Sequence, residues 1–299
     1  MIESRYPKPQ ALTLLDDHGP RFLEVPRGAR PGAATILGVP YDGTTSFRPG
    51  ARFGPDALRV ASQGIETYSP TQDRDYAGMP VCDVGNLILP TLDPVDVVDR
   101  VERVVEGLLA GGARPLVLGG EHTVSTGAVT AVARQTPDLL LVQLDAHADL
   151  RDEFNGEPHS HACTLRRCLE RTGGPLLQVG IRSGTRAEFA EMRAAGRLVP
   201  PDPEALAAAI AQHGERPIYL TCDLDVFDPA VLPGTGTPEP GGIDWPRFET
   251  LLAAVPHGRV VAADAVELAP PLDPTGNSNV LAAKVVRELL LRLCDGADG

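Results

Sequence analysis

Short apolar runs alternate with amphipathic segments along most of the chain. The runs are rich in Val, Leu, Ile and Ala, a composition typical of strands buried on both faces of a sheet. Gly, Pro or acidic residues follow most of them and mark the turns. Strands are predicted at residues 34–39, 81–84, 115–118, 139–144, 175–180, 217–222 and 259–263.

Helical periodicity fills the segments between these strands. The clearest example begins at Asp93, continues through Val97 and Val101, and ends at Gly111. Strands that alternate with helices predict an α/β fold with a mostly parallel sheet. The periodicity does not separate an open sheet from a closed (β/α)8 barrel. Further helices are predicted at residues 55–57 (a first turn), 123–134, 161–171, 187–195, 203–212, 244–255 and 277–293.

No internal repeat or linker divides the chain, so residues 1–299 are predicted to form a single domain. Residues 1–32 are rich in Pro, Gly and charge and have no clear period, which predicts a loosely packed N-terminal arm or extension. Residues 41–55 form a long Gly/Pro-rich loop, and such loops are often functional. The pattern leaves open whether this loop closes over a ligand or packs between subunits.

Composition narrows the choice of partners and compartment. The formal net charge of −13 argues against nucleic acid or an anionic membrane as partner and is compatible with a small cationic ligand. The five cysteines include no CxxC pair, and an odd number does not form a complete disulfide framework. The N-terminus lacks an apolar signal region, and no apolar run reaches the roughly 18 residues of a membrane span. We therefore expect a reduced, soluble, cytoplasmic protein.

The predicted strand 139–144 leads into the first candidate site, formed by Asp145, His147 and Asp149. Along an extended chain, residues i, i+2 and i+4 point to the same side, so two carboxylates and an imidazole would share one face. Residue types and spacing both indicate metal ligands. We expect Asp145 and the pair His147/Asp149 to serve different ions that a carboxylate bridges.

Three other predicted strands also end in polar residues that can bind metal. Ligands of parallel α/β folds bind at the carboxyl ends of the strands, so these residues are expected to converge. Asp264 and Glu267 follow the last of these strands. The candidate metal ligands are His122, Asp145, His147, Asp149, Asp223 and Asp225.

This ligand set indicates the kind of metal site and the chemistry. Two imidazoles and four carboxylates suit two ions about 3.5–4 Å apart rather than one. A set rich in oxygen and without thiolate favours Mn²⁺, with Zn²⁺, Co²⁺ or Fe²⁺ as alternatives. Such a pair lowers the pKa of a bridging water and so indicates hydrolysis, whereas a purely structural metal is the simpler alternative.

Five segments resemble the ureohydrolase (arginase/agmatinase) family, and agmatinases in particular. The resemblance implies a three-layer α/β/α fold with a central, mostly parallel eight-stranded sheet. It also implies two Mn²⁺ ions per subunit on the six residues above, release of urea from a guanidino substrate, and assembly as a homotrimer or homohexamer. The segments are GGEHTVS, DAHADLRDEFNG, SHACTLRR, CDLDVFDPAVLPGTGTPEPGG and DAVELAPPLDPTGNS.

The resemblance also implies roles for single residues. Glu267 matches the glutamate that binds the guanidinium, and His161 matches the active-site histidine and is a candidate proton shuttle; His159 is its rival. Asp225 is expected to protonate the departing amine after a metal-bridging hydroxide attacks the guanidinium carbon. Glu121 and Asp264 are expected to support the ligands rather than to bind metal.

The substrate suggested by the resemblance is agmatine, which would yield urea and putrescine. Arginases typically carry Asn where this chain has Arg151, and the loop at residues 41–55 looks like that of agmatinases. Arg151 could instead bind a carboxylate, so a guanidinobutyrase or another guanidino-acid hydrolase is the alternative. Arginase fits less well. A non-catalytic regulator is disfavoured because all six ligand positions are filled, and a zinc deacylase because it would use fewer ligands.

Overall fold

The computed structural model describes residues 14–294, within which one large sheet carries the strands that lead to the candidate site. Nine strands lie in the order β1-β5-β2-β6-β11-β10-β7-β8-β9, and a separate hairpin joins β3 to β4. The strands are β1 (Leu15–Asp16), β2 (Ala34–Val39), β3 (Tyr68–Ser69), β4 (Arg74–Asp75), β5 (Val81–Leu87), β6 (Arg114–Gly119), β7 (Leu140–Leu144), β8 (Leu176–Val179), β9 (Leu198–Val199), β10 (Ile218–Asp223) and β11 (Val260–Val266).

Eight of the nine strands of this sheet pair in parallel, which confirms the predicted mostly parallel sheet. The exception is β1, which pairs antiparallel with β5 at one edge. Because β1 and β9 are the two ends of the strand order, the sheet is open and the barrel alternative is excluded.

Helices cover both faces of the sheet and give the three-layer arrangement. Residues of α1, α6, α7 and α8 join one buried apolar cluster, and residues of α2, α3, α4 and α5 join the other. Within β2, Ile36 belongs to the first cluster and Leu37 to the second, as strand alternation requires. The helices are α1 (Gly54–Ser62), α2 (Pro94–Ala110), α3 (Val124–Gln135), α4 (Thr164–Thr172), α5 (Arg186–Ala194), α6 (Pro203–Ala211), α7 (Trp245–Ala254) and α8 (Asn277–Leu293).

Polar side chains cap the starts of several of these helices. The carboxylate of Asp93 accepts from the first free N–H groups of α2, and Asp244 does the same for α7. Thr185 and Glu188 form a reciprocal capping box at the start of α5. These caps satisfy backbone donors that have no partner inside the helix and so define where each helix starts.

Part of the predicted N-terminal arm lies against the sheet. Leu15 and Asp16 form β1 beside β5, and Phe22 is fully buried with its N–H donating to Asp83 Oδ2 at 3.1 Å, whereas residues 26–32 are exposed. Residues 1–13 of the predicted arm lie outside the described residues, and the single domain stays a prediction. Within residues 14–294, no helix combines the length and apolar character that a membrane crossing requires.

Candidate metal centre and active site

The candidate ligands follow neighbouring strands in the middle of the sheet, where β6, β11, β10 and β7 lie side by side. Cys222 of β10 pairs with Leu144 of β7, so Asp223 and Asp145 follow at the same level. Asp223 also pairs with Val266 of β11, the residue before Glu267. The strand register therefore brings distant parts of the sequence to one edge.

The first group of candidate ligands surrounds His122. Its Nδ1 atom lies 3.2 Å from Asp145 Oδ2, 3.0 Å from Asp149 Oδ2 and 3.4 Å from Asp223 Oδ2. All four side chains are buried. His122, Asp145 and Asp149 offer ligand atoms close enough together to hold one metal ion.

A second group places His147 beside Asp225, with 2.8 Å between His147 Nδ1 and Asp225 Oδ2. Asp145 completes this group as well, so its carboxylate is common to both. The sequence predicts one shared ion for His147 and Asp149, but their side chains lie in different groups. Asp149 lies with His122, whereas His147 lies with Asp225, and the six predicted ligands converge in one place.

A chain of buried hydrogen bonds orients His122. Tyr219 and Thr221 donate their hydroxyl protons to Asp264, at 2.7 and 2.6 Å. Because the Thr221 proton is used in this way, its oxygen accepts from His122 Nε2–H at 2.9 Å. Asp264 thus supports a ligand rather than joining either metal-binding group, and Nδ1 of His122 presents a lone pair to three carboxylates.

These residues fit a metal site on two observations. The buried His122 Nδ1 has no hydrogen-bond partner among the described residues. Because buried polar atoms normally have a partner, this nitrogen is available to bind a cation. Burial and the negative charges of Asp225 and Asp149 raise the pKa of Asp145 to about 7. Cations would relieve this repulsion between carboxylates.

The pair His147 and Asp225 shows the same strong negative field. Burial lowers the pKa of the imidazole, but the negative charges of Asp225, Asp145 and Asp149 together outweigh burial and raise the pKa of His147 to about 10. For Asp225, burial raises the pKa, but His147 and the hydrogen bond from the backbone N–H of Ala146 act against burial, and the pKa is lowered to about 2. Positive charge, whether a proton or a metal ion, is strongly favoured here.

A cavity of about 260 Å³ opens onto both groups. Glu267 reaches it with a side chain that is only 7% exposed, and its Oε1 accepts the backbone N–H of His122 at 2.7 Å. Burial and then the charge of Glu121 raise the pKa of Glu267 well above its usual range. Among the lining residues are Ser46, His147, Asp149, Arg151, Phe154, His161, Asp223, Asp225, Thr237 and Glu267.

Two residues of the site have left-handed backbones that L-amino acids seldom adopt. Glu267 has a φ of 68° and Asp149 a φ of 52°. Backbone of this kind costs free energy and persists where surrounding structure enforces it, often at functional sites. For Glu267, the bond from its own N–H to the Gly120 carbonyl, at 2.8 Å, is one such restraint.

The structure separates the two candidate histidines. His161 lines the cavity, with its ring nitrogens near Thr44 Oγ1 at 3.3 Å and Ser46 Oγ at 3.1 Å. His159 does not line it and contributes its backbone carbonyl to Thr123 Oγ1 at 3.3 Å. The sequence predictions missed Thr44 and Ser46, although both lie in the long loop that the sequence marks as functional.

Arg151 forms part of the cavity wall as a cation stacked on an aromatic ring. Its guanidinium carbon lies 4.6 Å from the centre of the Phe154 ring. His161 also faces that ring, in an edge-on arrangement at 6.0 Å between centres. Arg151, Phe154 and His161 therefore form one continuous wall of the cavity.

Comparison with known proteins agrees with this site. The Arginase family model matches residues 33–292. An agmatinase of Halalkalibacterium halodurans is 40% identical over 263 residues, covering 86% of this chain and 91% of the relative. A guanidinobutyrase of Pseudomonas aeruginosa is 34% identical over 271 residues, covering 86% and 85%.

Solved structures give the same result. The agmatine ureohydrolase of Thermoplasma volcanium superposes with a TM-score of 0.82 at 30% identity, covering 91% of this chain and 94% of that one. The family model, the identities and the shared three-layer fold confirm the resemblance carried by the five sequence segments. This chain belongs to the arginase family and is a metal-dependent ureohydrolase.

Proposed function

We propose that this protein hydrolyses agmatine to urea and putrescine with two Mn²⁺ ions. The observation that supports this most is that Glu267 and both metal-binding groups open onto one cavity. A buried carboxylate beside a cation-binding cluster suits a substrate whose reacting group is itself a planar cation. The 40% identity to an agmatinase supports the choice of agmatine.

The proposed ligands are the six residues that converge at the strand ends. One ion would be held by the group around His122 and the other by the group around His147, with Asp145 common to both. The excess of carboxylate over imidazole and the absence of thiolate support manganese. When bound, the two ions supply Lewis acidity and lower the pKa of a bound water to near neutral.

Glu267 is proposed to bind the guanidinium. A carboxylate and a guanidinium form two parallel charge-assisted hydrogen bonds, which fix the plane of the substrate as well as its position. The carboxylate is itself held, because its Oε1 already accepts the N–H of His122. The guanidinium carbon is then presented to the attacking water in one orientation.

Asp225 and His161 are proposed to move protons. Attack by water forms a carbon–oxygen bond, and the carbon–nitrogen bond to the alkyl amine then breaks to release urea. Asp225 takes the proton that the water loses and passes it to the departing amine nitrogen. His161 lines the same cavity and exchanges protons between this nitrogen and solvent.

A guanidino acid such as 4-guanidinobutyrate is the second candidate substrate. Arg151 favours it, because no ion pair or hydrogen bond holds its guanidinium among the described residues and the side chain lines the cavity. The similarity to a guanidinobutyrase also favours a guanidino acid. The net charge of −13 instead favours agmatine, whose far end is a cation.

A substrate panel tests the proposal. Purified protein loaded with Mn²⁺ is given agmatine, 4-guanidinobutyrate or arginine, and urea is measured. We expect kcat/KM for agmatine to exceed the other two by at least about 100-fold, because a wrong charge at the far end is buried unpaired. If the enzyme prefers 4-guanidinobutyrate, that compound is the substrate instead of agmatine. If none of the three compounds yields urea, the proposal is refuted. One manganese per chain in a fully active preparation would refute the two-ion site.

We further propose a cytoplasmic homotrimer or homohexamer. Two aromatic side chains of the loop at residues 41–55 support an assembly, because Phe47 is 70% exposed and Phe53 57% exposed. Large apolar side chains that stand in solvent often mark contacts between subunits. Light scattering after size-exclusion chromatography tests the assembly, and a monomer at all concentrations would contradict it.

A further inference from the structure

We infer that Thr44 is a positioning residue for His161. Its hydroxyl donates to the buried carboxylate of Glu121, and its oxygen then accepts from the ring of His161, which makes a relay of two hydrogen bonds. The inference rests on the proposed role of His161 in proton transfer and extends it. Neither Thr44 nor Glu121 belongs to the two metal-binding groups. The bonds that connect them cross the sequence from the loop at residues 41–55 to the strand ends.

The first step of the relay joins Thr44 to Glu121. The side chain of Glu121 is fully buried, and its Oε1 accepts the Thr44 hydroxyl proton at 2.5 Å. Its Oε2 accepts the Thr44 backbone N–H at 2.9 Å. An ionised carboxylate only accepts hydrogen bonds, so the single hydroxyl proton of Thr44 points to Glu121.

The second step joins Thr44 to His161. Because its proton is used, the Thr44 oxygen can only accept, and two nitrogen atoms of His161 face it. The backbone N–H lies at 3.0 Å and ring Nδ1 at 3.3 Å. Nδ1 therefore carries the ring proton in the neutral imidazole. Ser160 Oγ, also 3.3 Å from Nδ1, can accept the same proton.

The consequence concerns the other ring nitrogen. With the proton on Nδ1, Nε2 keeps its lone pair on the side of Ser46 Oγ, 3.1 Å away at the cavity wall. Nε2 is then the atom that takes and returns a proton during the reaction. The opposite tautomer would set the lone pair of Nδ1 against the lone pairs of Thr44. The carboxylate of Glu121 thus selects the nitrogen of His161 that serves the substrate.

Neighbouring Thr45 offers a matched control. Its hydroxyl also donates to Glu121, to Oε2 at 3.2 Å, but it makes no hydrogen bond to His161. Thr44→Val removes the hydroxyl, keeps the shape of the side chain and keeps the backbone bond to Glu121. Thr44→Ser restores the hydroxyl alone. The three variants separate a relay to His161 from simple anchoring of the loop.

The experiment measures kcat, KM, bound manganese and unfolding temperature for each variant. General acid–base catalysis contributes about 10²–10⁴-fold, so we expect Thr44→Val to lose about 10- to 100-fold in kcat. KM and manganese content are expected to stay within about twofold, Thr44→Ser to regain most of the loss, and Thr45→Val to match the wild type. A Thr44→Val enzyme with wild-type kcat, or an equal loss in Thr45→Val, would overturn the inference.

A second measurement does not depend on turnover. Ring ¹⁵N chemical shifts of the diamagnetic zinc-loaded protein at pH 8, assigned with His161→Gln, report which nitrogen of His161 carries the proton. We expect Nδ1–H in the wild type and Thr45→Val, and loss of this preference in Thr44→Val. An Nε2–H imidazole in the wild type would overturn the relay. If agmatine yields no urea but Nδ1–H is observed, the proposed substrate fails while the relay stands.

Discussion

Replacing Glu267 by Gln removes one carboxylate from the lining of the cavity and keeps a side chain of nearly the same size and shape. The amide oxygen of Gln can still accept the His122 N–H that now bonds Oε1 at 2.7 Å. What is lost is one of two parallel bonds to the guanidinium together with the charge that strengthens both. The NH₂ group of Gln would also face an N–H of the substrate, so donor would meet donor.

The size of the loss follows from burial. Glu267 is 7% exposed, so little water can replace the missing carboxylate. Truncating one partner of a buried, hydrogen-bonded charge pair costs about 2–5 kcal/mol. Since about 1.36 kcal/mol is tenfold in rate, kcat/KM for agmatine is expected to fall by about 30- to 5,000-fold. Manganese content is expected to stay the same, because Glu267 belongs to neither metal-binding group.

The assay is urea release at several agmatine concentrations, with bound metal measured on the same samples. Glu249→Gln is the matched control, since Glu249 lies in α7 and does not line this cavity; its kcat/KM is expected within about twofold of the wild type. A Glu267→Gln enzyme that keeps its metal and loses less than about fivefold would refute the assigned role. Loss of metal along with activity would show instead that Glu267 supports the ligands.

Three further predictions concern metal affinity and stability. Thr221→Val removes the acceptor that holds Nε2 of His122, so manganese affinity measured by metal titration is expected to fall about 10- to 100-fold, and unchanged affinity would contradict the hydrogen-bonded chain. Chelation is expected to lower the unfolding temperature by about 5–10 °C, because the buried carboxylates lose their counter-charge, and proven metal loss without a shift would refute the fit to cations. Although burial opposes it, hydrogen bonds from Ser278 and Thr275 lower the pKa of Asp273 to about 2, so its stabilisation is present above about pH 4 and is lost as pH falls towards 2. Asp273→Asn is therefore expected to lower the unfolding temperature at pH 7 but much less at pH 2, and an equal shift at both values would contradict the charge as the cause.

The long strands and the position of the site could be predicted because both follow from local chemistry. A run such as 139–144 is apolar except at Gln143 and is followed at once by Asp145, so the strand and its functional end share one signal. The same holds for β10 and Asp223. Parallel strands then bring such ends together without any further information.

The short strands could not be predicted because two residues carry no period. β1 and β9 exist because a neighbouring strand edge offers free N–H and C=O groups, at β5 and β8 respectively. The partner of β1 lies about 70 residues away in the sequence, as Leu15 pairs with Leu87. Local propensity has no access to a pairing of this kind.

The separation of His147 from Asp149 was not predicted, for a different physical reason. The expectation extended strand alternation through Asp149, but β7 ends at Leu144. Beyond it the chain turns, and the left-handed φ of 52° at Asp149 directs its carboxylate to His122 instead of His147. The Thr44 relay could not be predicted either, because Thr44 is 77 positions from Glu121 and 117 positions from His161 in the sequence.

The division of the site between sheet and loops has a consequence for how its specificity can change. The metal-binding residues follow adjacent strands whose register holds them, whereas Ser46, Arg151 and Thr237 on the cavity wall come from loops. Insertions or substitutions in these loops can therefore reshape the space for the leaving amine while the hydrolytic centre stays in place. An agmatinase and a guanidinobutyrase can both resemble this chain over 86% of its length for that reason. Changes in the loops of the cavity wall would therefore alter the substrate. The most direct way to redesign this enzyme is to exchange these loops and keep the metal ligands.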